Sequence, residues 1–256
     1  MKRRHLIELE DQPWFPATIR DLATDYLQFI QAHFRLDRAM TPQIRRVLET
    51  TGTTRIVDLC SGGSGPLLLL VGDLAAAGID VRATLTDLYP NIPAFREIAD
   101  ASNGRIDFEP RSVDARAVPA SLTGLRTIFN GFHHLKPPDA SAVLHAAAQA
   151  RQPIAMFEVS ERTPKALISI FLTPLAVWMA TPFMRPFRWR RLFWTYLIPL
   201  VPLTCLWDGV VSQLRAYTLD ELDALCAGSA PMQWERGKIP IAKGQGQLTY
   251  LIGIPA

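Results

Sequence analysis

Three features of the chain predict an α/β fold built on one doubly wound sheet. From Arg55 onward, strand-like and helix-like patterns alternate, the signature of parallel strands joined by helices on both faces. The first of these strands, residues 55–59, runs into the turn Cys60-Ser61-Gly62-Gly63-Ser64-Gly65-Pro66, and a leucine-rich helix follows at once. Two late apolar runs, residues 234–240 and 248–254, are joined by Lys243-Gly244-Gln245-Gly246 and read as an antiparallel hairpin that closes the sheet.

At 256 residues the chain suits one domain carrying an insertion better than two separate domains. The formal charge is +3, with Lys and Arg dispersed except at the start and in the cluster Arg185, Arg188, Arg190 and Arg191, so a nucleic-acid partner is not expected. Cys60, Cys205 and Cys226 are odd in number and lack metal-ligand spacing, which predicts reduced thiols in a cytoplasmic protein and no metal site. The basic start, residues 1–4, runs into Glu8, Glu10 and Asp11 rather than an apolar segment, so no export signal is expected there.

Taken in order, residues 16–36 carry Ile19, Leu22, Ala23, Tyr26, Ile30 and Phe34 at helical spacing, with Pro16 in a first-turn position. A second helix is predicted from Thr41, as a cap before Pro42, to about Thr50, with Gly52 as its stop. After the first strand, the helix at 66–77 ends at Gly78, and a second strand at 81–87 finishes on Asp87. Residues 105–108 give a weak third strand, 126–130 a fourth and 154–159 a fifth. The alternation then breaks. Residues 166–184 and 192–207 contain no charge, the basic aromatic stretch 185–191 lies between them, and five prolines cut the whole into short pieces. Thr218 and Glu221 form a capping box that opens a last helix ending near Gly228.

The glycine turn is where chemistry is expected, because glycines allow close approach and the N–H groups of the turn and following helix face a ligand. Asp58, just before the glycines, would repel a phosphate but suits a ligand bearing an ammonium or sulfonium group. In doubly wound folds a carboxylate at the tip of the second strand reaches the ribose hydroxyls of a bound adenosine moiety, which is the role expected of Asp87, with a turn cap before Tyr89-Pro90 as the competing reading. Histidines at a strand's carboxyl end line the ligand crevice, and His133 and His134 follow the fourth strand directly.

An acidic residue followed by spaced glycines resembles the first motif of the class I S-adenosylmethionine (SAM)-dependent methyltransferases, although Cys60 and Ser64 stand where that motif often has glycine. The resemblance covers about residues 55–160 and returns over 208–256. It implies SAM as cofactor, held by Asp58, Cys60, Ser61, Gly62, Gly63, Gly65, Asp87 and Leu88, with Asp114 and Ala115 at the adenine and Asn130 at the end of strand four. A solvated turn aspartate is the competing reading of Asp114. Asn130-Gly131-Phe132-His133-His134 resembles the fourth motif of small-molecule methyltransferases rather than the Asn-Pro-Pro-aromatic form of many enzymes acting on nitrogen, which implies an oxygen or carbon acceptor. One of the two histidines is then the candidate base, a structural role for both being the alternative. Helices before the first strand often shape the acceptor pocket in that family, so Trp14 and Tyr26 join Phe132, Trp207, Arg215 and Tyr217 as substrate-binding candidates. Core packing competes for the N-terminal aromatics, and a structural pair with Asp208 is the leading reading of Arg215.

The expected architecture is therefore a Rossmann-like doubly wound sheet with a closing antiparallel hairpin, N-terminal helices and a hydrophobic helical insertion after strand five. Residues 1–54 form a helical cap, 55–165 and 208–256 the SAM-binding domain, and 166–207 a lid at a membrane interface. The expected activity is methyl transfer to an apolar small molecule or lipid-like acceptor. An NAD-dependent oxidoreductase and a non-catalytic, membrane-associated SAM-binding protein are the alternatives, the first weakened by Asp58 beside a pyrophosphate and by the absence of a Tyr-x-x-x-Lys pair. The expected location is the cytoplasm, peripheral on the inner face of the membrane.

Overall fold

Apolar runs at β1 (Arg55–Asp58), β2 (Arg82–Leu85), β3 (Ile106–Phe108), β4 (Leu125–Phe129) and β5 (Ile154–Glu158) pair in parallel, and β6 (Met232–Pro240) and β7 (Gln247–Pro255) close the sheet antiparallel. The strand order is β3-β2-β1-β4-β5-β7-β6 in a computed structural model that describes residues 1–63, 65–241 and 246–256. Ser64 and most of the predicted hairpin connection, Lys243 to Gln245, lie outside the described residues. The chain divides into two compact units, Phe34–Val159 with Thr218–Ala256, and Met1–His33 with Ser160–Tyr217.

The first unit holds the sheet. Every residue of β4 and β5 is buried, as expected for central parallel strands covered on both faces. Helices α2 (Leu36–Thr51), α3 (Leu67–Ala76), α4 (Ile92–Ala101), α5 (Pro137–Gln149) and α10 (Leu219–Cys226) belong to this unit. The α2 start differs from the expected Thr41 cap: the helix begins at Leu36 and Pro42 lies inside it. Thr41 Oγ1 donates to the carbonyl of Asp37 instead, at 2.9 Å. An interior proline costs about 3 kcal/mol. The complete burial of Met40, Ile44 and Val47 at about 1.5–3 kcal/mol each outweighs it. The capping box is formed as predicted, Thr218 Oγ1 accepting from Glu221 N and Glu221 Oε2 from Thr218 N.

The second unit is helical: α1 (Ala17–His33), α6 (Pro164–Ile170), α7 (Thr173–Ala180), α8 (Trp189–Leu192) and α9 (Leu200–Arg215), with a 3₁₀ turn at Thr181–Phe183 and a π-helical turn at Phe193–Leu197. Its core joins Ile19, Leu22 and Tyr26 of α1 to Val177 and Ala180 of α7 and to Val201 and Cys205 of α9. The proline-broken helices were expected, but the boundary at 207/208 was not kept. Helix α9 runs through Asp208, because that carboxylate is buried where it accepts hydrogen bonds from Leu9 N (2.6 Å) and Glu10 N (3.0 Å). Residues 208–217 therefore belong to the helical unit, whereas α2, expected in the N-terminal cap, belongs to the sheet unit.

Candidate functional site

The carboxyl ends of β1, β2, β4 and β5 meet around the glycine turn. Asp58 ends β1 with its side chain buried, Oδ1 accepting from Thr127 Oγ1 at 2.7 Å and Oδ2 from Ser61 Oγ at 2.7 Å. Burial pushes its carboxyl up to about 7, against the two hydroxyl donors, and the charge of Asp87 adds to the rise. The turn itself takes left-handed backbone at Cys60, Gly62 and Gly65, which a glycine adopts without cost and Cys60 does not. Gly131 lies close against this turn: a Cβ on it would come within 3.2 Å of Cys60 Cβ, so the end of β4 packs directly on the turn.

Asp87 follows β2 and reaches across to the turn, where Oδ2 accepts from Gly62 N at 2.9 Å while Oδ1 accepts from Tyr89 N at 2.8 Å. The turn cap before Tyr89 is therefore formed, and the same carboxylate also stands beside the glycine loop. Val113 N donates to Asp87 O at 2.8 Å, which brings Asp114 and the buried Ala115 to the same edge. The Asp114 carboxylate is held by Arg116, whose guanidinium also binds Asp139, and Arg116 keeps its carboxyl below the ordinary value. Leu88 is exposed, and its carbonyl accepts from Ser112 Oγ.

Asn130 sits at positive φ and its Oδ1 accepts from Val159 N at 2.8 Å, clamping the ends of β4 and β5 together. A short 3₁₀ turn, Phe132–His134, follows. His133 is buried and its Nδ1 lies 2.7 Å from Glu158 Oε2, while Glu158 Oε1 accepts from Phe132 N at 2.6 Å. A carboxylate on Nδ1 selects the tautomer with the proton there and leaves Nε2 as the lone-pair nitrogen. The His134 ring tilts against that of His133, with centroids 4.3 Å apart.

Four carboxylates, those of Asp87, Asp58, Asp114 and Glu158, act together on one atom of this site. After burial, which is the largest cause, their charges push the Cys60 thiol up to about 12, so Cys60 stays a neutral thiol rather than a nucleophile. A basin of this sign fits a cation and disfavours a pyrophosphate.

The substrate-binding candidates are placed less uniformly. Phe132 is completely buried in the sheet unit. In the helical unit Tyr26 is a core residue, its phenol pushed up to about 12 by burial, and Arg215 is buried with ion pairs to Glu8 and Asp11. Asp208 and Arg215, expected to pair with each other, both hold the N-terminal segment, at Leu9 and Glu10 for the first and at Leu6, Glu8 and Asp11 for the second. Tyr217 lies under the guanidinium of Arg3, at 4.1 Å. Trp14 is exposed. Trp207 lines an apolar cleft of about 320 Å³ together with Phe15, Ile19, Leu200 and Leu203. A larger, polar cavity of about 630 Å³, lined by Thr53, Arg55, Gly124 and Arg151 among others, lies at the opposite, amino-terminal ends of the strands. Volume does not make it the site, because ligands of open α/β sheets bind beyond the strands' carboxyl ends.

The residue that sequence reasoning missed is Glu158. Its signal was present as a lone carboxylate ending the otherwise apolar strand Ile154-Ala155-Met156-Phe157, level with the histidines.

The open 3-2-1-4-5-7-6 sheet with its glycine turn at β1 defines a class I SAM-dependent methyltransferase fold. Solved structures share it. LaPhzM superposes with a TM-score of 0.53 at 15% sequence identity, covering 88% of this chain and 57% of that one. The methyltransferase domain of bacterial CtHen1 gives 0.51 at 12% identity, covering 86% and 99%. An O-methyltransferase family 2 protein from Planctomyces limnophilus, in complex with apigenin, gives 0.50 at 14% identity, covering 97% and 67%. These are likenesses of fold. No protein-family model matches the chain, and no curated protein matches it by sequence.

Proposed function

We propose that this protein transfers a methyl group from SAM to an apolar small-molecule acceptor, at oxygen or carbon. The observation that carries this reading is the convergence of Asp58, Asp87, Asp114 and Glu158 on the glycine turn, an acidic basin suited to a sulfonium and an ammonium group. Asp87 would take the ribose hydroxyls with lone pairs left over from Gly62 and Tyr89, and Asp58 would face the amino-acid end of the cofactor. When bound, SAM supplies an electrophilic methyl group on a charged sulfur.

The chain's own contribution is a proton acceptor and its orientation. His133 would take the acceptor's proton on Nε2, with Glu158 holding the ring by Nδ1 and stabilising the imidazolium that forms. His134, whose ring tilts against that of His133, would shape the acceptor's approach. The apolar character proposed for the acceptor rests on the uncharged runs 166–184 and 192–207 of the insertion.

Calorimetry with SAM, S-adenosylhomocysteine and NAD tests the cofactor, with Asp87→Ala as the control variant. The expected result is SAM binding weakened by Asp87→Ala by about 1–3 kcal/mol, the scale of a lost charge-assisted hydrogen bond. Tighter binding of NAD than of SAM would overturn the reading. Incubation with methyl-labelled SAM and a fractionated lipid and metabolite extract then identifies the acceptor; label entering only the aqueous fraction would remove its apolar character.

A further inference from the structure

We infer that the helical unit docks on an anionic lipid surface, lying in the headgroup plane through the outer sides of α6, α7 and the 183–200 segment. The inference rests on this unit alone and not on the methyl-transfer reading.

Between Arg162 and Trp207 the sequence contains no Asp or Glu but six cations. Most of the exposed large hydrophobic side chains among the described residues also fall in this segment. Trp189 is 77% exposed, Leu197 72%, and Ile168 and Phe183 71% each. Helix α6 buries none of its residues, and α7 is apolar all round: Val177 and Ala180 face the core while Leu175, Trp178 and Met179 face outward. An exposed apolar surface of this extent, rimmed by positive charge, is the pattern of an interfacial segment. The aromatic rings are prepared for it. Trp178 Nε1 donates to Thr195 O at 3.0 Å and Tyr196 Oη to Trp178 O at 2.7 Å, so their polar atoms are satisfied inside the protein while both rings remain exposed.

The four arginines of the stretch 185–191 divide into two pairs. Arg191 is buried and pairs with Asp25 of α1 at 2.7 Å, also donating to the carbonyl of Pro186, and Arg188 reaches the same carboxylate at 3.1 Å. These two hold the loop onto α1. Arg185 and Arg190 remain exposed, as does Lys165, and supply the charge complementary to an anionic headgroup layer.

The same contacts argue against crossing the bilayer. No single helix among the described residues is long and apolar enough to span a membrane, and the two helix pairs that pass together are bent by 43° and 73°. The second pair contains buried Asp208 and Arg215, bound to the segment Leu6 to Asp11, and extracting them into lipid would leave both charges without partners. A segment lying in the interface keeps these contacts and the α1 core.

The experiment is flotation of the full chain with phosphatidylcholine vesicles, with and without phosphatidylglycerol, at low and high salt. The expected result is co-flotation with the anionic vesicles, lost in high salt. In Arg185→Gln/Arg190→Gln it should be weakened roughly 25-fold, at roughly fivefold per arginine. Phe183→Ser/Leu197→Ser should lower binding to both vesicle types, and since both side chains are exposed the variant should keep its melting temperature. Protein that stays unfloated on anionic vesicles overturns the inference, as does the arginine variant floating like the wild type. Wild-type protein that resists alkaline carbonate, or a stable solution dimer that the Phe183/Leu197 variant converts to monomer, would assign the face to a span or to a second copy instead.

Discussion

His133 Nδ1 and Glu158 Oε2 meet at 2.7 Å with both side chains buried, joining the end of β4 to the end of β5. One carboxylate thus orients the ring and, through Oε1, fixes the backbone of the turn that carries it. If His133 is the base, His133→Ala lowers kcat by about a hundred- to ten-thousand-fold while SAM affinity is retained. Glu158→Gln keeps an acceptor for Nδ1 but stabilises the imidazolium less, so kcat falls by roughly tenfold. His134→Ala changes KM more than kcat. Equal losses in all three variants would make the cluster structural.

Asp58 makes stability depend on pH in the direction opposite to most carboxylates. Its carboxyl titrates near 7 in the fold against 3.8 in the free residue, so between these values the folded state holds the extra proton and stability falls as pH rises. The loss begins near pH 4, is complete above about pH 7, and amounts to a few kcal/mol for a group this buried. Asp58→Asn flattens that slope and raises the melting temperature of the ligand-free protein at pH 8, while weakening SAM binding. Denaturant titrations of both proteins at pH 5 and pH 8 measure it; an unchanged slope would mean that Asp58 is ionised throughout.

The fold was legible because its signals are local. Strand periodicity, the glycine turn after Asp58 and the three-residue spacing of Thr218 and Glu221 need no knowledge of distant chain, and each produced the expected element. What failed depended on partners far along the sequence. Thr41-Pro42 looked like a helix start because the apolar face that extends α2 back to Leu36 is seen only when it packs on the sheet unit. The pairing of Arg188 and Arg191 was invisible in the basic stretch 185–191 because Asp25 is 163 and 166 residues away. Glu158 could be assigned to His133 only once the Phe129↔Phe157 register put the two strand ends level. The candidates on the turn and at Asp87 lie together for the complementary reason: one supersecondary unit, β1-turn-α3 beside β2, carries them all.

Arg126 is an expensive residue in the middle of the sheet. It is 3% exposed between Val57 and Ile154, its Nε and Nη1 find no hydrogen-bond partner, and burial lowers its basicity. Replacing a buried charge with an apolar group of similar volume removes the desolvation cost. Arg126→Met should therefore stabilise the protein by about 1–3 kcal/mol in urea unfolding, with the m-value unchanged. Destabilisation instead would reveal a partner for the guanidinium that this structure does not contain.

Gly209 is where α6 rests on α9. A Cβ at this position would meet Ile170 Cδ1 and Cγ1 at 2.8 Å, closer than side chains pack, and the backbone there does not need a glycine for its dihedral angles. Two effects of opposite sign follow. In a helix interior Ala is favoured over Gly by roughly 0.5–1 kcal/mol, whereas overpacking costs about 1–3 kcal/mol. The clash is with the end of a side chain that is itself only half-buried, so Ile170 can yield at a fraction of that range and Gly209→Ala should be close to neutral. Gly209→Val cannot be relieved in this way and should destabilise by about 2 kcal/mol. Shortening the partner should remove the penalty: in the double variant Gly209→Val/Ile170→Ala the coupling between the two sites is favourable by about 1 kcal/mol. The four proteins of that cycle, compared by thermal unfolding, decide whether α6 is packed on α9 at this point, because simple additivity would mean that the two helices part here in solution.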